Sequence, residues 1–142
     1  MKRARVLLAD DHLAVTEALK RILSTEFEVI GTVRDGLSLL TATAELSPDV
    51  VVADVSMPQM DGFSALQQLR RKCPDVKVIL ISGFQEPEFV NIALEWGASA
   101  FLSKVAANED LIPAVRAALE GKTYSSSTRN SSGDSRRRLR SS

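Results

Sequence analysis

Five side chains in this chain could act together if the fold brings them to one place: Asp10, Asp11, Asp54, Ser82 and Lys104. Each stands at or just beyond the end of a short apolar run. Three carboxylates packed together repel, and one of them resists ionisation unless a cation joins them. A hard divalent cation resolves that conflict. Mg²⁺ takes octahedral oxygen ligands, commonly one or two carboxylates with waters and phosphate oxygens completing the shell. Asp11 and Asp54 suit direct ligation and Asp10 ligation through water. The carbonyl of Ser56, two residues beyond Asp54, offers a further oxygen. A carboxylate is also a nucleophile toward phosphorus, giving an aspartyl phosphate. In that chemistry Asp54 is the acceptor, while Lys104 and Mg²⁺ neutralise charge on the transferred group and the Ser82 hydroxyl donates to one phosphoryl oxygen. An ionised carboxylate needs no base to activate it. Taken singly these residues mean little, since a strand-end Asp is ordinarily a solvated loop residue and an Asp-Asp pair can simply cap a helix. Their joint placement carries the reading.

That placement depends on the elements. Apolar, β-branched runs at Arg5–Ala9, Val29–Val33, Val50–Asp54, Val76–Ser82 and Ala100–Leu102 lack polar alternation, as strands covered on both faces do. Helical spacing separates them. Leu13, Ala14, Glu17, Ala18, Arg21 and Ile22 share one side of a first helix, with Leu19 and Leu23 extending its apolar face. Leu37, Leu40, Ala44 and Leu46 mark a second, and Phe63, Leu66 and Leu69 a third. Val90, Ala93, Leu94 and Gly97 mark a fourth, and Leu111, Val115, Ala118 and Leu119 a fifth. Ser47-Pro48-Asp49 and Cys73-Pro74-Asp75 stop helices two and three, and Gly97 and Gly121 stand where C-terminal caps belong. Asn108 or Asp110 is the expected cap of helix five; Pro113 is harmless if that helix begins at Leu111 and costs a backbone bond if it begins at Glu109. Five βα units imply an open, doubly wound parallel α/β sheet with right-handed crossovers, and in such sheets ligands bind at the carboxyl ends of the strands.

Composition narrows the chemistry further. With one Cys and one His in 142 residues, disulfide frameworks and thiolate or His/Cys zinc clusters are excluded. No apolar run approaches the roughly 20 residues that span a bilayer, so the expected setting is cytoplasmic, without membrane. The balance of 18 basic and 18 acidic residues conceals a split. Residues 1–124 hold 13 basic and 17 acidic side chains, whereas residues 125–142 hold five Arg and one Asp. That Ser/Arg-rich stretch, with Leu139 its single large apolar residue, is expected to be a disordered tail or linker.

Three segments carry a family resemblance: Val6-Leu7-Leu8-Ala9-Asp10-Asp11-His12, Asp54-Val55-Ser56-Met57-Pro58-Gln59-Met60-Asp61-Gly62, and Gly97-Ala98-Ser99-Ala100-Phe101-Leu102-Ser103-Lys104. Over residues 4–122 the chain resembles the receiver domain of two-component response regulators, nearest the NarL/FixJ class. The resemblance implies a flavodoxin-like (βα)₅ fold with strand order 2-1-3-4-5, phosphorylation of Asp54 by a sensor histidine kinase, and Mg²⁺ held by Asp10 and Asp11. It makes Ser82 the switch hydroxyl, Lys104 the phosphate-pairing lysine and Phe101 an aromatic switch that turns inward. His12 is then not the donor but a surface or capping residue of helix one. Ser56 and Phe84 stand where the family tunes phosphate lifetime. Val105 follows Lys104 where many members have a cis Pro, so that bond is expected to be trans.

Such a domain is a phosphoacceptor with at most self-directed phosphotransfer and autodephosphorylation, not an enzyme. Switching would remodel a surface near helix four, where Glu86, Glu88 and Glu95 lie, and in the intact protein control homodimerisation and transcription. DNA would be reached only through a helix-turn-helix domain absent from this chain. The alternative is a stand-alone receiver acting by protein–protein contact. A Mg²⁺-dependent phosphohydrolase is disfavoured because Ser56 stands where it would need a second Asp. A flavin module would need phosphate-cradling Ser/Thr/Gly loops in place of the acids.

Overall fold

Each apolar run forms a strand, and each stretch of helical spacing carries the chain back across the sheet. The computed structural model describes residues 3–83 and 87–125. The elements are β1 (Arg5–Ala9), α1 (Leu13–Ser24), β2 (Glu28–Val33), α2 (Gly36–Leu46), β3 (Val50–Asp54), α3 (Gly62–Lys72), β4 (Lys77–Ser82), α4 (Pro87–Glu95), β5 (Ala100–Ser103), α5 (Ala107–Leu119) and β6 (Tyr124–Ser125). All neighbouring strands are parallel, in the order β2-β1-β3-β4-β5-β6. The first five therefore follow the expected 2-1-3-4-5 order. The two-residue β6 adds an edge strand, Tyr124 opposite Ala100 and Ser125 opposite Phe101, too short to leave a pattern in the sequence. Residues beyond it, with nearly all of the expected tail, lie outside the described residues.

Alternation along the strands divides the core in two. Val6, Leu8, Val50, Val52, Ile79, Ile81, Ala100 and Leu102 face α1 and α5. Leu7, Ala9, Val51, Ala53, Val78, Leu80 and Phe101 face α2, α3 and α4. The middle strand β3 is buried at all five positions, which accounts for its unbroken apolar run. Helix ends obey local chemistry. Asp35 and Asp61 cap α2 and α3, their carboxylates accepting from the amides of Ser38 and Ser64 at 2.7 and 2.8 Å. Gly97 and Gly121, at φ of +102° and +79°, take the left-handed conformation that ends α4 and α5.

Three details depart from expectation. The buried stripe of α2 is Gly36, Leu39 and Thr43, while Leu37 and Leu46 are exposed. A Cβ on Gly36 would come within 2.2 Å of the Met60 carbonyl oxygen, so this contact fixes the rotation of the helix. In α1 the core takes Thr16, Leu19 and Leu23, and Leu13 is exposed; Thr16 is tolerated inside because its hydroxyl donates to the His12 carbonyl at 3.1 Å. Helix α5 begins at Ala107, so neither Asn108 nor Asp110 is its cap and Pro113 lies within it. Pro113 cannot donate to the Glu109 carbonyl; the buried Leu111, Ala114, Val115 and Ala118 offset that loss. Asp110 is fully buried and accepts from the Tyr124 hydroxyl at 2.9 Å. The Lys104–Val105 peptide is trans, as expected.

Gly62 answers to space rather than turn flexibility. A Cβ there would lie 2.6 Å from the Asp54 carbonyl oxygen and 2.9 Å from the Val55 Cα, both backbone atoms. Gly62→Ala is expected to destabilise the fold by about 1–3 kcal/mol, the range for overpacking a tight site. Gly83, around which an added Cβ meets nothing within 4 Å, is the control, and Gly83→Ala should change stability by no more than about 1 kcal/mol. Urea denaturation of both variants checks the pair; equal midpoints would refute the close-approach account.

Candidate functional site

The register of the sheet assembles the site. Asp54 ends β3, and Ala53 pairs with Ala9 of β1, so Asp10 leaves β1 beside Asp54. On the other side Asp54 pairs with Ile81 of β4, which places Ser82 one residue further along. Ser82 pairs with Ser103 of β5, and its carbonyl accepts the Lys104 amide at 2.8 Å. Four neighbouring strands thus end at one edge with Asp10, Asp54, Ser82 and Lys104.

The side chains meet there. The Lys104 ammonium donates to Asp54 Oδ2 at 3.1 Å and stands 3.6 Å from Asp10 Oδ2. Asp54 Oδ1 accepts the Ser56 amide at 3.3 Å, so the recorded contact of Ser56 runs through its N–H. Asp10 and Asp54 are each only 3% exposed, whereas Asp11 is half-buried. Burial holds the Asp54 carboxyl above its usual range; the hydrogen bond from Lys104 opposes this and the charge of Asp10 adds to it.

The Lys104 ammonium faces two of the three carboxylates, and two acceptor atoms have charge contacts but no hydrogen bond. Asp10 Oδ2 and Asp11 Oδ1 are shielded from water without a hydrogen-bond partner, a costly arrangement for groups that can only accept. Asp10, Asp11, His12 and Asp54 each offer a ligand atom, all within 4.8 Å of one another. The donor set, rich in carboxylate oxygen, fits a hard divalent cation.

Ser82 and Phe101 both project from the sheet face that carries α3 and α4. Ser82 is buried, and Phe101 is fully buried with its ring centroid 6.0 Å from that of Phe63. Phe101, the residue expected to turn inward, therefore already points into the core. Phe63 also meets Phe89 at 6.1 Å and takes Trp96 edge-on at 6.0 Å. Helical spacing assigns Phe63 only to the packing of the third helix and gives no sign of this junction. His12 is, as expected, an exposed residue at the N-cap position of α1, though its side chain makes no capping bond. Its Nδ1 lies 3.1 Å from both Asp10 Oδ1 and Asp11 Oδ1 and 4.0 Å from Asp54 Oδ2. Adjacency to the acidic pair was the signal available. Phe84 and Glu86 lie outside the described residues.

A family model described as "Response regulator receiver domain" matches residues 6–116. The chain is 34% identical over 124 residues to the transcriptional regulatory protein DegU of Brevibacillus brevis, covering 86% of this chain and 52% of that protein. It is 38% identical over 119 residues to the transcriptional regulatory protein LiaR of Bacillus subtilis strain 168, covering 82% and 56%. It therefore spans about half the length of the curated relatives it matches. Among solved structures it resembles the signal receiver domain of the response regulator NarL from Mycobacterium tuberculosis, with a TM-score of 0.81, 33% identity, and coverage of 86% of this chain and 100% of that one.

The raised Asp54 carboxyl has a stability consequence in cation-free buffer. The folded state holds this proton more tightly than the unfolded chain, so ionising Asp54 opposes folding once pH exceeds the unfolded carboxylate value of about 3.9. Below that value both states are protonated and the effect disappears. Asp54→Asn removes the charge, so its thermal midpoint should exceed that of wild type at neutral pH, with the gap closing as pH falls. Thermal scans across pH check this; a variant no more stable than wild type at pH 7 contradicts it.

Proposed function

The chain belongs to the response regulator receiver family, and on that premise we propose that it is a signalling domain switched by phosphorylation of Asp54. The carrying observation is the contact of Lys104 Nζ with Asp54 Oδ2 at 3.1 Å, at a strand end shared with Asp10 and Asp11.

The Asp54 carboxylate attacks phosphorus in line. The new bond is P–O to Asp54, and the bond broken joins phosphorus to the donor, which leaves with the electron pair: the imidazole nitrogen of a sensor kinase phosphohistidine, or the carboxylate of an acyl phosphate. Lys104 offers its ammonium to the charge growing on the equatorial oxygens, and Ser82, at the next strand end, offers a hydroxyl to one of them. Asp10, Asp11, Asp54 and the Ser56 carbonyl would hold Mg²⁺. When bound, the cation supplies charge neutralisation for the transferred phosphoryl group. The domain acts on itself and carries out no metabolite turnover.

Output follows from a shift between two pre-existing states. Ser82 and Phe101 share the α3–α4 face, and the surface near α4 changes with them. The named relatives are transcriptional regulators, which supports output to transcription through a DNA-binding domain outside this chain, with homodimerisation as an intermediate step in the cytoplasm.

The test is incubation with Mg²⁺ and acetyl phosphate followed by intact-mass measurement. Wild type should gain one phosphoryl group and Asp54→Asn none. Lys104→Ala should slow the gain by about 10²-fold, the usual effect of removing one charge-stabilising donor. Folded wild type that gains no phosphoryl mass would sink the reading.

A further inference from the structure

We propose that β6 is a strap that passes the state of β5 to the chain beyond residue 125: it holds on β5 while the site is unmodified and lets go when Asp54 carries a phosphoryl group. The trigger rests on the phosphoacceptor reading. The strap itself is argued from geometry.

Backbone and side chain both hold it. Gly121, at φ of +79°, turns the chain back after α5 and brings Tyr124 alongside β5, where its amide donates to the Ser99 carbonyl at 2.8 Å. Tyr124 then stands opposite Ala100, and Ser125 opposite Phe101. The Tyr124 ring packs against the core on the α1–α5 side, and its hydroxyl donates to Asp110 Oδ1 at 2.9 Å. Asp110 is fully buried in the first turn of α5. A buried carboxylate can only accept, so it calls for donors, and the Tyr124 hydroxyl is one of them.

The rest of β6 is weak. It is two residues long and forms the edge of the sheet beside β5. Elements with so few backbone bonds open at the low end of the local stability range, so a small displacement of β5 changes how often the strap is attached. The direction follows from the strand order. Lys104, three residues beyond Phe101, reaches past β4 to Asp54 at the end of β3. Added negative charge on Asp54 draws the ammonium further the same way, toward β3 and away from β6. The carbonyl of Ser99 and the backbone of Ala100 and Phe101 move with their strand, off the strap. Because β6 runs parallel to β5, it points to the carboxyl edge of the sheet, where the site lies, and its release frees the following chain from that direction. The competing account makes β6 a passive edge strand, held equally in both states.

The full chain, labelled with ¹⁵N, is followed by amide hydrogen exchange at Tyr124 before and after addition of Mg²⁺ and excess acetyl phosphate. Val52 of the buried β3 is the internal reference, and intact mass reads phosphoryl uptake in the same samples. Tyr124 should exchange about tenfold faster once wild type is phosphorylated, the change that loss of one ordinary hydrogen bond gives, with Val52 unchanged. Asp54→Asn should keep the unmodified rate. Tyr124→Phe retains the ring and removes the hydroxyl, and before any phosphoryl transfer its amide at position 124 should already exchange about tenfold faster than wild type. Phosphoryl mass gained with unchanged or slower exchange at Tyr124 overturns the strap and leaves the phosphoacceptor reading standing. An equal rise at Val52 reports global loosening and counts against the strap, as does wild-type exchange in Tyr124→Phe. Folded wild type that gains no phosphoryl mass overturns the trigger together with the phosphoacceptor reading.

Discussion

Carboxylate crowding at the end of β3 is the constraint around which the molecule is arranged. Asp10 and Asp54 are buried to the degree of core residues, although burying an ionised group is among the costliest acts in folding. The Lys104 ammonium answers both of them, joined by the backbone amides of His12 on Asp10 and Ser56 on Asp54. Lys104 comes from the far side of β4, so the attraction depends on β3, β4 and β5 keeping their register. The core on both sheet faces, from Leu8 and Val52 on one side to Leu80 and Phe101 on the other, is what holds that register against the repulsion.

Backbone packing gives the site its second support. The loop after Asp54 returns to start α3 at Gly62, whose amide donates to the Val55 carbonyl at 2.8 Å. The same loop lies against the start of α2, where Gly36 meets Met60. Two glycines in separate helices thus admit one loop, and side chains at either position would push on the residue that carries the chemistry. Asp61 caps α3 from within this loop, so the acid between Met60 and Gly62 belongs to the scaffold and leaves the site to the other three.

Sequence made the strands legible because parallel strands covered on both faces must be apolar without interruption, and Val50 to Ala53 are. The site followed, since the rule that ligands lie at carboxyl strand ends converts strand limits into a list of side chains. Helix faces were less legible. Leu37 and Leu46 looked like core and are exposed, because the rotation of α2 is set by a glycine contact with a loop far away in sequence. Asp110 looked like a cap and is buried, because Tyr124 reaches back to it. His12 looked like surface because its solvent exposure is real, but the direction of its ring is a tertiary fact. Each of these depends on contacts between elements, to which periodicity within one element is blind.

Phe101 shows how events at the strand edge and the outer surface are joined. Its ring lies beneath α3, in contact with Phe63, and Phe63 in turn touches the partly exposed Phe89 and Trp96. Close-packed interiors transmit displacement because they have little free volume to absorb it. Lys104 follows Phe101 by three residues, so a change in where its ammonium is drawn acts on the strand that holds the ring. On the phosphoacceptor reading, the added charge on Asp54 pulls on Lys104 and on the Ser82 hydroxyl together. Ser82 at the end of β4 and Lys104 just past β5 therefore both lead to the face where the aromatic cluster reaches solvent.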